Sequence, residues 1–143
     1  MIAELASILL VEDDPGDVML IRDALAEHKV GNTVSVVSDG VEAMEFVRGE
    51  GSYAGVERPD LVLLDLNLPR LSGLEVLAQL KQDPELLDVP VVMLTTSQAD
   101  EDILRSYKLH ANAYVSKPVD FEGFTEAIRQ IDDFFLTLVQ LPR

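Results

Sequence analysis

Asp60-Leu61-Val62-Leu63-Leu64-Asp65, running on into Leu66-Asn67-Leu68-Pro69, decides the architecture. Four consecutive aliphatic residues between carboxylates have the length of a strand buried on both faces, the strand type of a parallel sheet covered by helices. Asp65 then stands where a strand leaves its sheet, the edge at which open α/β domains collect ligands. A charge at that position is costly unless something balances it.

Working outward, three more apolar runs end in residues that carry chemistry. Ile8-Leu9-Leu10-Val11 leads into Glu12-Asp13-Asp14, Val91-Val92-Met93-Leu94 into Thr95-Thr96, and Tyr114-Val115-Ser116 into Lys117. Two carboxylate sites, a hydroxyl and an ammonium brought to one sheet edge suit a metal-assisted, phosphoryl-accepting pocket.

Between the runs the apolar spacing becomes helical, and five strand–helix units fit. The first strand covers about residues 6–11. Asp14-Pro15 reads as an N-cap with proline at the first helical position, and Val18, Ile21 and Leu25 form the inward stripe. After a second strand at about 33–37, Asp39-Gly40-Val41-Glu42 reads as a capping box. Residues 49–59 read as a polar, flexible insertion before the third strand, and Ser72-Gly73-Leu74-Glu75 as a second capping box opening a helix with Leu74, Leu77 and Leu80 inward. Pro84 and Pro90 bracket the next loop, Ser97 starts a fourth helix, Ala113-Tyr114-Val115 forms a short strand, and Asp120 caps a last helix from about Phe121 to Leu138.

Composition narrows the function. The 143 residues suit one domain with a real core. A formal charge of −15 argues against nucleic acid and anionic membrane, whose phosphates need Lys and Arg, and is compatible with divalent cations. There is no cysteine, and two histidines, His28 and His110, are too few for a histidine-rich metal site. No apolar stretch approaches a membrane span, and Met1-Ile2-Ala3-Glu4 lacks the basic start of a secretory signal, so a cytoplasmic protein is expected.

Taken together, Glu12-Asp13, Asp65 within D-L-N-L-P, Gly73, Thr95, Tyr114 and Lys117-Pro118 resemble the receiver domain of two-component response regulators, from about Ser7 to Ile131. The 49–59 insertion and the E-D-D-P-G-D and L-D-L-N-L-P segments look most like the single-domain regulators associated with phytochrome kinases. The resemblance implies a flavodoxin-like (βα)5 fold, a doubly wound parallel sheet of strand order 2-1-3-4-5. It also implies a phosphorelay role in which a sensor histidine kinase, a bacteriophytochrome among the candidates, phosphorylates Asp65. On this reading Mg2+ is held by the side chains of Asp13 and Asp65, by Glu12 through water, and by the backbone carbonyl of Asn67. Lys117 and Thr95 contact phosphoryl oxygens, and Thr95 with Tyr114 forms the switch.

The chemistry supports that set. A carboxylate attacks an anionic phosphoryl group poorly unless charge repulsion is cancelled, and magnesium favours an oxygen-rich, partly hydrated site. The competing enzyme, a magnesium-dependent phosphatase of the haloacid dehalogenase type, needs a second aspartate as general acid where this chain has Asn67. A nucleotide binder is disfavoured because no glycine-rich phosphate loop follows any strand. The chain is therefore expected to be a signalling phosphoacceptor and no enzyme beyond assisting its own phosphorylation and dephosphorylation.

The C-terminal segment carries more apolar surface than one packed face can cover. Phe121, Phe124, Ile128, Ile131, Phe135 and Leu138 form one stripe, whereas Phe134, Leu136, Val139 and Leu141 fall off it. Residues 1–133 are read as the receiver domain and 134–143 as an apolar extension that makes a homodimer contact through those last four side chains.

Overall fold

A computed structural model describes residues 6–26, 32–95 and 113–116, together with residue 126. The strands are β1 (Ala6–Val11), β2 (Asn32–Val37), β3 (Leu61–Asp65), β4 (Val91–Thr95) and β5 (Ala113–Ser116). The helices are α1 (Pro15–Ala26), α2 (Gly40–Arg48) and α3 (Gly73–Gln82). All strand pairings are parallel, in the order β2-β1-β3-β4-β5 expected of the receiver fold. The winding direction reverses between β1 and β3, which opens a crevice beyond the carboxyl ends of those two strands. The expected fourth and fifth helices lie outside the described residues.

Side-chain alternation sorts the strands' apolar runs into two cores. Leu9, Val11, Val62, Leu64, Val91 and Met93 face α2 and α3, while Ile8, Leu10, Leu61, Leu63, Val92 and Leu94 share a cluster with Ile21 and Leu25 of α1. Both faces of β1, β3 and β4 are therefore dry, which is why β3 reads as an unbroken aliphatic run. Its start is pinned to β1: the Ser7 amide donates to Asp60 Oδ2 at 2.9 Å, and the Asp60 amide donates to the Ser7 carbonyl at 2.7 Å.

The expected caps of α1, α2 and α3 form, while those at Ser97 and Asp120 lie outside the described residues. Asp14 accepts from the Asp17 amide at 3.2 Å, Asp39 from Glu42 at 2.8 Å, and Ser72 from Glu75 at 3.3 Å. The inward face of α3 is centred differently from the expectation: Gly73, Val76, Leu77 and Leu80 are buried, whereas Leu74 is only partly covered. After α3, half-buried Lys81 donates to the carbonyls of Leu87 and Val89, both at 2.9 Å, and closes the turn around buried Leu86. Burial pulls the Lys81 ammonium below the usual lysine range.

The 49–59 segment is more ordered than a bare insertion. A 3-10 turn at Gly51–Tyr53 lays Tyr53 on Phe46, ring centroids 5.1 Å apart, and the Tyr53 hydroxyl donates to Glu42 Oε2 at 2.9 Å. That bond to Glu42, together with burial, raises the Tyr53 pKa. Residues 50–52 and 54–58 are exposed, on either side of the partly covered Tyr53.

Gly73 allows α3 to start directly against the end of β3. A Cβ there would sit 2.1 Å from the Asp65 carbonyl oxygen and 2.8 Å from Leu66 Cα, and backbone has little room to move. Gly73→Ala is expected to cost about 1–3 kcal/mol, the usual range for overpacking, measured as a lowered urea midpoint. An unchanged midpoint would mean that α3 slides away from β3 at no cost.

Candidate functional site

Three carboxylates meet at the crevice. The Glu12 amide continues the β1 ladder one residue past its last strand residue by donating to the Val37 carbonyl at 3.1 Å, and the Glu12 side chain is buried at 2% exposure. Its Oε2 accepts the Asp14 amide at 3.1 Å. Asp13 is exposed beside it. Asp65, 4% exposed, ends β3; the next amide, Leu66, donates to the Leu94 carbonyl at 2.9 Å and carries the ladder onward. The Asn67 amide donates to Asp65 Oδ1 at 3.1 Å, an Asx-type turn that sets the carboxylate's rotation.

One oxygen from each of Glu12, Asp13 and Asp65 lies within 4.8 Å of the others. Asp14, which follows them in sequence, instead caps α1 through Asp17. Such a cluster of anions, two of them buried, suits a hard divalent cation, and an all-oxygen donor set selects the magnesium, manganese and calcium class over zinc or copper. A cavity of about 450 Å³, lined by Glu12, Asp13, Val18, Met19, Arg22 and Val36 among others, opens beside two of the acids.

The backbone of Thr95 ends β4 and pairs with Ser116, one step beyond the Asp65–Leu94 pair, so the β3, β4 and β5 ends run level. Lys117 follows Ser116 in the chain. The side chains of Thr95 and Tyr114, the whole of Lys117, and Phe134, Leu136, Val139 and Leu141 lie outside the described residues.

An ion pair that the sequence reading missed borders the site. Arg70 adopts φ 65°, and the Leu71 amide donates to the Pro69 carbonyl at 2.7 Å, which makes Pro69–Leu71 a γ-turn with positive φ, a rare and strained form. Arg70 Nη2 donates to Asp39 Oδ2 at 2.7 Å, joining the turn to the cap of α2. Burial works to raise the Asp39 pKa, but the Glu42 amide and the Arg70 guanidinium hold the carboxyl below the usual aspartate range. Alongside, the Gly40 amide donates to the Pro69 carbonyl at 3.4 Å, and a Cβ on Gly40 would lie 1.9 Å from the Leu71 carbonyl oxygen. The partners are thirty-one positions apart, so no local pattern announces them.

Comparison with known proteins agrees with this geometry. Residues 8–129 match the response regulator receiver domain. The chain is 42% identical over 135 residues to response regulator Rcp1 of Synechocystis sp., covering 94% of this chain and 92% of that protein. The solved structure of the phosphorylated cyanobacterial phytochrome response regulator RcpA superposes with a TM-score of 0.94 at 46% identity, covering 98% of this chain and 100% of that one. The Mn2+-bound form of Rcp1 gives a TM-score of 0.92 at 40% identity, covering 96% and 99%. With its strand order, its acid cluster at the β1 and β3 ends and this likeness along nearly its whole length, the chain belongs to the response regulator receiver family of two-component signalling.

Proposed function

We propose that Asp65 accepts a phosphoryl group from a phosphohistidine on a sensor histidine kinase, and that the chain passes on the change through protein contacts. The observation that carries this reading is the convergence of Glu12, Asp13 and Asp65 within 4.8 Å at the ends of adjacent strands. In the transfer an Asp65 oxygen bonds to phosphorus as the phosphorus–nitrogen bond breaks, and the electron pair stays on the departing imidazole. The Asn67 amide on Oδ1 keeps the carboxylate oriented for that approach.

Asp13 and Asp65 would hold Mg2+ directly, Glu12 would do so through water, and the Asn67 carbonyl would add an oxygen. The chemistry Mg2+ would supply there is cancellation of charge between the carboxylate and the incoming phosphoryl oxygens. That Rcp1 has a Mn2+-bound form supports a hard divalent cation for this chain. Lys117 and Thr95 take phosphoryl oxygens, and Thr95 with Tyr114 relays the new state. The chain turns over no separate substrate; it assists only its own phosphorylation and dephosphorylation. Likeness to the cyanobacterial phytochrome response regulator RcpA and to the bacteriophytochrome response regulators RtBRR and AtBRR supports a bacteriophytochrome as the kinase. A cytoplasmic location follows from that partner, and no described helix is long and apolar enough to cross a membrane. Residues 134–143 form an extension in which Phe134, Leu136, Val139 and Leu141 pair with a second copy.

Intact mass spectrometry after mixing with acetyl phosphate and magnesium is expected to find one added phosphoryl group, lost in Asp65→Asn while circular dichroism stays native. Equal labelling of that variant would place the acceptor elsewhere.

Asp13 and Asp14 separate by role. Asp13→Asn relieves like-charge repulsion, so its metal-free melting temperature holds or rises, while its Mg2+ affinity falls by more than the roughly tenfold loss typical of an outer partner. Asp14→Ala loses a cap worth about 0.5–2 kcal/mol of stability and keeps its affinity. Calorimetric titration beside thermal melts checks both, and the reverse order would make Asp14 the ligand.

Burying a large apolar side chain is worth roughly 1.5–3 kcal/mol, so four on one extension give a dimer a substantial driving force. Sedimentation at tens of micromolar is expected to show a dimer for the full chain and a monomer for a version ending at Asp133. A full-length monomer would remove the homodimer.

A further inference from the structure

We infer that Asp39 and Arg70 are positioning residues: their ion pair clamps the loop after β3 onto the start of α2 and so holds Asp65 against Glu12 and Asp13 before any cation arrives. The inference rests on reading those three acids as a cation site, and it adds two residues that lie outside the acid cluster.

The acids sit on two segments that a single junction ties together. The Val37 carbonyl, at the end of β2, accepts the Glu12 amide at 3.1 Å. Two residues later Asp39 takes Arg70 at 2.7 Å, and the Gly40 amide reaches the Pro69 carbonyl at 3.4 Å. Residues 37–40 therefore touch the β1 end on one side and the loop leaving Asp65 on the other. The far end of that loop is fixed separately, by the Gly73 amide on the Leu66 carbonyl at 3.0 Å. Between these ties lies only the stretch whose Asn67 amide orients Asp65.

Two details give Arg70 a purpose beyond local structure. Its φ of 65° suits glycine, yet the chain spends an arginine there, and the guanidinium reaches a carboxylate that is itself only 12% exposed. The acids also repel one another whenever no cation joins them, so a loop without the clamp relaxes outward and the cation must first draw it back. Clamping raises affinity by removing that step.

The sign of the effect separates positioning from charge. Deleting a cationic side chain makes the protein more negative and by itself strengthens attraction for Mg2+, so weaker binding after Arg70→Ala has to come from geometry.

The test is calorimetric titration of the whole chain with MgCl2 for wild type, Arg70→Ala, Arg70→Gly and Arg70→Lys, with Arg58→Ala as a charge control away from the acids. Arg58 donates to the Glu85 carbonyl, in the loop after α3. Arg70→Ala and Arg70→Gly are expected to raise the Mg2+ dissociation constant about tenfold, the low end for outer partners of a metal site, and Arg70→Lys to recover most of that loss. Arg58→Ala is expected to bind as wild type or slightly tighter. Hydrogen exchange followed by mass spectrometry should show the 66–71 amides of metal-free Arg70→Ala and Arg70→Gly exchanging faster, and returning to the wild-type rate at saturating Mg2+. Because glycine is at home at φ 65°, Arg70→Gly keeps the fold even if Arg70→Ala does not.

Unchanged or tighter Mg2+ binding with wild-type exchange in the loop would overturn the clamp. Should wild type bind no cation, the metal reading of the acids falls, and the exchange comparison alone still decides: faster loop exchange in the variants upholds the clamp, equal exchange ends it.

Discussion

Everything near the crevice answers to one constraint: three carboxylates are held within 4.8 Å, two of them almost without solvent. Two like charges 4 Å apart repel by about 4 kcal/mol at the effective dielectric of a protein surface, so a soft scaffold would let them separate. This one is stiff at each point that matters. Ladder bonds run past the last strand residues through Glu12 and Leu66, and Gly73 brings a helix start against the carbonyl of Asp65. The resulting concentration of negative charge suits this edge to a hard divalent cation.

The sheet supplies that stiffness because both faces of its three central strands, β1, β3 and β4, are dry. The alternation that sends Leu9, Val62 and Met93 to one core and Leu10, Leu63 and Leu94 to the other fixes the register of the three central strands. In any strand, a slip of one residue turns every side chain to the opposite face. Here a slip would exchange two whole cores and carry Asp65 off the level of Glu12.

Much of this was legible in the chain because it is local or periodic. The aliphatic runs marked the strands, and Asp14, Asp39 and Ser72 marked helix starts through bonds to amides three residues on. The acids were legible as strand-end residues, although their convergence is a property of strand order, which entered through family resemblance. What stayed hidden depends on distant partners. Tyr53 looked like part of a loose polar loop because Phe46 and Glu42, which hold it, belong to the preceding helix. Arg70 drew no reading at all because Asp39 reaches it from another part of the chain. Val76 was passed over because one turn of helix offers several apolar residues, and only the docked angle of α3 selects among them.

The anchoring of β3 at both ends governs where the chain tolerates changes of length. Asp60 is tied to Ser7 at the entrance, and Leu66 is tied to Leu94 and Gly73 at the exit. An inserted or deleted codon between them would turn the following side chains to the opposite face and point the terminal acid into a helix. Residues 54–58 are exposed, between the Tyr53 anchor and Pro59. Lengthening a surface loop costs little chain entropy, about 0.6 kcal/mol per doubling. Gains and losses of residues during the divergence of such proteins belong in that short stretch, a few residues upstream of a segment that allows none.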